Sequence, residues 1–401
     1  MRIATANAYD NTIAHLQKRQ QELAESQVRL TSNKRVLRAS DDPTAAARAE
    51  RALAAAQRAQ VSQRAVDASR NAMTLAESAL GDAVDMLQAV RDSLVAAGNA
   101  TYTDAERKSI AEQLQQYRDQ LLSIANRSDG AGTYLFSGQG TLGQPFVDAP
   151  GGVQYRGVGG AASVASDEAL PMTVDGHYAW MTAPSGNGVF ETRAVTSLGS
   201  AWIDAGRVTD PAAILDRGYD IDFSVTGGTT TWSIQRRNPD GTPDGAPVTG
   251  TYESGKAIEI DGMSFTISGA PADGDRFSIE PSTGSLSVFD VLDRVIAGLK
   301  QPGAGSGQVT QTVNDGLRDV DSLLVRMQSV RSAVGDTLNR ADAVSDRLGE
   351  TELQAKTERS NAEDLDLVEG ISDFQTRQTG YDAALKTYAQ VQRLSLFQYL
   401  G

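Results

Sequence analysis

The sequence predicts an α+β multidomain fold, a long α-helical coiled coil and bundle built from both chain ends with an all-β domain inserted between them. Two observations carry this reading. Residues 137–285 hold 24 of the 38 glycines, 10 of the 12 prolines and all three tryptophans, whereas both flanks are rich in the helix formers Ala, Leu, Gln, Arg and Glu. The flanks also carry apolar residues at alternating steps of four and three, which lie on one stripe of an α-helix and, when sustained, on the seam of a coiled coil. A length of 401 residues fits this division, since it exceeds what one hydrophobic core usually supports.

In chain order, Ile13, Leu16, Gln20, Leu23, Gln27 and Leu30 form the first stripe. A helix break follows. Asp42 precedes Pro43, which pushes it into the extended geometry of an N-cap, and Pro43 suits a first helical position where no N–H is needed. Val66, Met73, Leu80, Leu87 and Leu94 then recur every seventh residue, with Ala52 and Ala59 extending the series backwards. Gly98-Asn99 ends that helix, and Thr103-Asp-Ala-Glu106 has the pattern of a capping box ahead of Ile110, Leu114, Tyr117, Leu121 and Ile124. Beyond the insertion, Val313, Leu317, Val320, Leu324, Met327, Arg331, Val334, Leu338 and Ala341 make the longest register. The last is Leu367, Ile371, Phe374, Gln378, Tyr381, Leu385 and Tyr388. Five long helices are expected, two or three before the insertion and two after it.

The middle reads as β. Tyr219, Ile221, Phe223 and Val225 alternate with polar residues, as do Trp232 and Ile234. Ile258 and Ile260 meet Met263, Phe265 and Ile267 across Asp261-Gly262, a two-residue hairpin signal, and Asp240-Gly241 and Asp244-Gly245 add turn chemistry. The expected division is therefore residues 1–40 with 365–401 as terminal coiled-coil arms, 41–136 with 286–364 as a helical bundle, and 137–285 as an outward-facing insertion.

Composition narrows the chemistry. The net charge of −14 repels phosphate backbones, so nucleic acid is not an expected partner. Cysteine is absent and the two histidines, His15 and His177, have no histidine near them in sequence, which argues against thiol, multi-His metal and most general-base chemistry. No catalytic residue, cofactor site or metal site is expected. Asp273 with Asp275, and Asp240 with Asp244, lack the spacing of a calcium loop and read as turns. Gly303, Gly305 and Gly307 precede no Lys-Ser/Thr and read as a linker between helices rather than a phosphate loop. No apolar run approaches the ~18 residues of a membrane span, so no membrane insertion is expected. The N-terminus lacks the apolar region of a cleaved signal peptide.

The stripes at residues 52–124 and 313–341 read as the core of their own bundle. The two arms differ, because Gln20, Gln27 and Gln378 fall at seam positions, where polar residues lower stability and fix register and partner number. Residues 1–40 carry seven Lys/Arg against three Asp/Glu, and residues 350–401 five against nine, so the arms have net charges of +4 and −4 that favour pairing. A two-helix pair has little core of its own, so the arms should need neighbours from other subunits.

The stretch Leu30-Thr-Ser-Asn-Lys-Arg-Val-Leu-Arg-Ala-Ser-Asp-Asp-Pro-Thr-Ala-Ala-Ala47 resembles the signature between the first two helices of the flagellin family, with Arg35, Ser40, Asp41, Asp42 and Pro43 as matching positions. The order of parts is also similar to that family: a heptad arm, this break, a long Ala-rich helix, a β insertion and a heptad helix running to the end. Asp129-Gly-Ala-Gly-Thr-Tyr-Leu-Phe-Ser-Gly138 with Pro145-Phe146, residues 260–277, and Leu394-Ser-Leu-Phe-Gln-Tyr-Leu400 look like the hook-associated branch of the family. Pro43 after the acidic pair fits that branch better than filament flagellin.

The resemblance implies a structural subunit of the bacterial flagellum, not an enzyme, exported unfolded by the flagellar type III route without a cleaved signal and working outside the cell. It implies a junction layer between hook and filament. The partners implied are neighbouring copies of itself, another hook-associated protein on the hook side, flagellin on the filament side and an export chaperone. The expected assembly interface is Leu16, Leu23 and Leu30 on one arm and Ile371, Phe374, Tyr381, Leu385 and Tyr388 on the other. Two other readings stand beside it: filament flagellin, and a surface glycan-binding or hydrolytic protein acting through the insertion.

Overall fold

The structure, a computed structural model, describes residues 2–99, 101–141, 143–164 and 168–400, with side chains described between residues 10 and 390. Seven helices are found among them: α1 (Arg2–Ser32), α2 (Pro43–Ala97), α3 (Asp104–Ala125), α4 (Gly176–Met181), α5 (Val288–Lys300), α6 (Ser306–Glu363) and α7 (Leu367–Leu400). Three long helices precede the β-rich region and two, α6 and α7, follow it, the five expected from the periodicity; a sixth, shorter helix leads into α6. The sixth is α5, a 13-residue helix started by Ser287, whose Oγ accepts from the N–H groups of Phe289 and Asp290. Thr103 and Glu106 form the expected capping box at the start of α3, with the Thr103 N–H donating to Glu106 Oε2 at 2.7 Å. None of the described helices is long and apolar enough to cross a membrane.

The chain divides into two compact units: residues 1–64 with 344–401, and residues 65–343. In the second unit the heptad stripes form the core of their own bundle. Met73, Leu80, Leu87 and Leu94 of α2, Leu114 and Leu121 of α3, Phe289 and Leu292 of α5, and Val320 and Met327 of α6 are all buried there. The same core takes in Leu135 and Phe136, Phe146 of β1 (Phe146–Ala149), Val153 of β2 (Gly152–Tyr155) and Trp180 of α4. Much of the Gly/Pro-rich stretch up to residue 183 thus packs with helices. Arg118 of α3 fastens it: the buried guanidinium makes two hydrogen bonds to Asp148 at 2.8 and 3.0 Å and two to Asp293 at 2.5 and 3.0 Å.

After a short pair, β3 (Ser163–Val164) and β4 (Leu170–Pro171), a second core begins at Phe190. It is built by β5 (Phe190–Thr196), β6 (Trp202–Ile203), β7 (Arg207–Val208), β8 (Gly218–Thr226), β9 (Thr229–Arg237), β10 (Pro243–Thr251), β11 (Ala257–Ile260), β12 (Met263–Ser268) and β13 (Arg276–Pro281). One antiparallel sheet has the order β10-β9-β8-β13-β5, and another has β11-β12-β6 with β7 also on β12. Tyr219, Ile221 and Phe223 on β8 are buried in alternation, as a period-two strand with one covered face requires. Phe265 and Ile267 on β12 and Phe277 and Ile279 on β13 join them, with the small Ser264 and Ser278 also buried. Ile260 pairs with Met263 across Asp261 (φ 45°) and Gly262 (φ 77°), the doubly positive φ of a tight hairpin turn. A Cβ on Gly262 would lie 2.1 Å from the Asp210 carbonyl oxygen. Asp244-Gly245, read from sequence as a turn, instead lies within β10, where the pairing with β9 shifts register between Asp244 and Val248. This irregularity falls on an edge strand, where bulges blunt unwanted pairing.

Candidate assembly surface

The first unit holds the residues expected to act. α1 and α7 pair, but their contact buries little. Leu16, Leu23 and Leu30 of α1 and Phe374, Tyr381 and Tyr388 of α7 are only partly buried, and Ser26 and Gly370 are the buried positions within the described parts of the two helices. Gly370 lets the helices close up, since a Cβ there would meet Leu365 at 2.7 Å and Leu30 at 3.3 Å. Ile371 and Leu385 point elsewhere and remain 48% and 41% exposed, alongside Leu367, Val368 and Val28 at 50%, 81% and 51%.

Gln20, Gln27 and Gln378 do not occupy the seam of this pair; all three are exposed. The partly buried face of α7 runs Phe374, Arg377, Tyr381, Ala384, Tyr388, so the polar seam residue is Arg377, held to Asp373 at 2.7 Å and facing Glu22 at 3.9 Å. The seven-residue step 371, 378, 385 is therefore a second stripe. Sequence periodicity merged two faces that differ by one helical position, and only the geometry of the pair separates them. The side chains of Leu394–Leu400 lie outside the described residues.

The break between α1 and α2 is a clamp built on both chain ends. Asn33 takes a positive φ of 57° and turns the chain. Its carbonyl oxygen accepts from the Leu365 N–H at 3.2 Å, and the Arg35 N–H donates to the Glu363 carbonyl at 2.7 Å, so the segment after α1 runs antiparallel to the segment before α7. Arg35 Nη2 donates to the Ala362 carbonyl at 2.8 Å while Nη1 reaches Asp42 at 3.3 Å. Asp41 Oδ2 accepts from the N–H groups of Leu37 and Arg38, both at 3.0 Å, and Asp42 Oδ1 caps α2 through the Ala45 N–H at 3.0 Å. Pro43 opens that helix, and Ser40 is exposed on the loop. Asp366 does the corresponding work for α7, accepting from Val368 at 2.9 Å. Arg35, Asp41 and Asp42 thus fix where the two long helices break. The partner segment at 362–365, the end of α6 and the residues just after it, was not singled out from sequence, although Asp366 just before Leu367 carries the signal of a helix start.

The backbone donors hold the Asp41 carboxyl below the usual carboxylate range, and Asp42 is lowered chiefly by the Ala45 N–H. A group whose folded pKa is depressed stabilises the fold above its unfolded value and loses that effect as pH falls through the folded one. Asp41→Ala should therefore speed amide exchange across residues 33–42 at pH 7, with wild type and variant converging near pH 2; equal exchange at pH 7 would remove Asp41 from the clamp.

The two histidines take no part: His15 is exposed, and His177 is exposed beside the Tyr155 ring. Asp275 is buried and accepts from the backbone of Leu198, Gly199 and Ala272, and Asp273 from Val225, so these acids serve the turns. Among the described residues no cluster of three His, Cys, Asp or Glu side chains could hold a metal ion.

Residues 3–141 match the profile of the bacterial flagellin N-terminal helical region, and residues 317–400 that of the bacterial flagellin C-terminal helical region. The flagellar hook-associated protein 3 of Salmonella typhimurium is 26% identical over 402 residues, 99% of either chain. The crystal structure of flagellar hook-associated protein 3 from Legionella pneumophila is 30% identical with a TM-score of 0.69, over 77% of this chain and 97% of that one. A Xanthomonas campestris FlgL structure is 28% identical with a TM-score of 0.68, over 78% and 99%. With matching helical regions at both ends and full-length relatives of this one kind, the chain belongs to the flagellin family, among its hook-associated protein 3 members.

Proposed function

We propose that this chain is a structural subunit forming the junction layer between flagellar hook and filament, outside the cell, and that its terminal helices drive assembly. The observation that carries the reading is the unfinished arm pair: α1 and α7 bury few side chains against each other, and α7 keeps Ile371 and Leu385 on an outward stripe. Two paired helices with exposed apolar residues gain stability only from further neighbours. A Legionella pneumophila relative 31% identical to this chain is described as a flagellar junction protein, which supports the position between hook and filament. The neighbours are then copies of itself, another hook-associated protein towards the hook and flagellin towards the filament. Export without a cleaved signal, with a chaperone covering the arms, follows from the same reading. Among the described residues, no arrangement of side chains favours a catalytic alternative.

The expected interface divides into two roles. Leu16, Leu23, Leu30, Phe374, Tyr381 and Tyr388 hold the arm pair, and Ile371 and Leu385 meet neighbours. In cells lacking the native gene, the wild-type chain should be found at the hook tip by immunogold microscopy. The double variant Ile371→Asp with Leu385→Asp should unfold within about 0.5 kcal/mol of wild type, as exposed substitutions do. It should nevertheless fail to enter the junction, leaving hooks without filaments and flagellin in the medium. Leu23→Asp should instead also loosen the arm pair and speed its proteolysis. Normal filaments from the double variant, or long filaments formed by the purified wild-type chain alone, would overturn the reading.

A further inference from the structure

Unit 1 carries unlike charge on its two long helices. Residues 43–64 of α2 hold four arginines and one glutamate, and Arg48 and Arg51 are exposed with no carboxylate at ion-pair distance among the described residues. Both line a groove of about 720 Å³ with Arg35, whose floor includes the small buried side chains of Ala45 and Ala52. Two carboxylates also line it. Asp42 is taken up by Arg35 and the Ala45 N–H, and Glu358 accepts only from the neutral Gln354, so three guanidiniums face two carboxylates and the groove keeps a net positive charge. On α6, Asp346 and Glu350 are exposed and likewise without a cation at ion-pair distance among the described residues.

We infer that adjacent copies of this chain associate side by side, with Arg48 and Arg51 in the α2 groove of one copy receiving Asp346 and Glu350 on α6 of the next. The inference rests on the junction reading and names the contact between copies within that layer. Spacing suits it: Arg48 and Arg51 are three residues apart and Asp346 and Glu350 four, so each pair lies on one helix face and the pairs span about 4.5 and 6 Å of axis. The alanine floor admits a close helix. Because the two faces differ, the contact is head-to-tail and continues from copy to copy, as a closed ring needs, whereas a two-fold dimer would leave each face against its own kind. Exposed charges set register and partner more than affinity, with the apolar stripe of α7 supplying the remainder.

The chain has no cysteine, so a pair of introduced ones reports cleanly. Within one copy, Gln63 lies against Ser345 at 2.8 Å on antiparallel helices, which sets Arg51 and Glu350 about 10 Å apart along the axis, beyond disulfide reach. Arg51→Cys with Glu350→Cys should therefore give a ladder of cross-linked copies in flagella isolated from cells. Arg48→Glu with Arg51→Glu, and Asp346→Lys with Glu350→Lys, should each reduce incorporation at the hook tip at least tenfold while leaving urea unfolding unchanged. All four substitutions in one chain should restore it. The side-by-side pairing is overturned if either double variant incorporates like wild type, if the fourfold variant fails to restore assembly, or if the cysteine introduced on α2 cross-links to a different protein. If the wild-type chain is itself absent from the hook tip, the junction reading falls as well; if it is present and the charge swaps are silent, only the pairing falls.

Discussion

Arg318→Leu should lower the unfolding free energy of the second unit by about 3–5 kcal/mol, the usual result of removing one partner from a buried ionic network. Arg318 lies on α6 with 9% of its side chain exposed and meets three carboxylates, Asp319 at 3.0 Å, Asp315 at 3.1 Å and Glu191 at 3.4 Å. Its Nη1 also donates to the Thr192 carbonyl at 3.1 Å, tying α6 to β5. Glu191 and Asp319 are nearly sealed from water, with 7% and 3% of their side chains exposed, and each has one further cation, Arg193 or Arg294. Leucine would leave three acids sharing those two peripheral arginines.

The pH dependence identifies the cause. Burial pushes the Asp315 carboxyl up to about 6, against the pull of Arg318, and burial likewise raises Asp319. A raised acid pKa means that the folded state binds more protons than the unfolded one between about pH 4 and 6, so this contribution falls as pH rises through that window. Asp315 keeps 28% of its side chain exposed, so water screens part of the effect. Asp315→Asn should flatten the slope, and the deficit of Arg318→Leu should be largest at pH 7 and shrink towards pH 4. Urea midpoints across this range measure both. A loss below about 1 kcal/mol at pH 7 would mean that water or rearranged arginines solvate the acids.

Periodicity was sufficient for the helices of the second unit because their stripes have a core to fill: Met73, Leu80, Leu87 and Leu94 are buried in the register they keep. It was also sufficient for β8, β11 and β12, where one buried face and a tight turn at Asp261-Gly262 specify alternation. It did not separate the stripes of α7, since Arg377 and Gln378 are adjacent on the same helix and only the position of α1 decides which faces inward. Composition proved a poor guide near residue 137. Glycine and proline there mark irregular backbone, yet Phe136, Phe146 and Trp180 bury their rings among helices. The Arg35 clamp was visible only in part, because its acceptors are backbone carbonyls at 362 and 363, more than 300 residues away, and any sequence supplies such carbonyls.

Trp180→Ala should be the most damaging substitution in the helical core, at about 3–5 kcal/mol, through lost burial and the cavity left behind. The ring is fully buried, stacked on Phe289 at 6.0 Å between centroids and meeting Phe136 and Phe146 edge-on at 5.6 and 6.1 Å. Its Nε1–H has no acceptor among the described residues, so Trp180→Phe forfeits no hydrogen bond and should cost much less, about 1–1.5 kcal/mol. The pair of variants bears on where a separable β part begins. We propose that the separable portion starts near Phe190, where the second core begins, and not at residue 137. A flexible linker replacing residues 190–281 keeps Trp180 and should leave cooperative unfolding of the helical bundle intact. A linker replacing residues 145–280 removes Phe146 and Trp180 together and should reproduce or exceed the Trp180→Ala loss. If the longer excision instead unfolds with wild-type cooperativity while Trp180→Ala is within about 1 kcal/mol of wild type, the aromatic cluster belongs to the insertion rather than to the bundle.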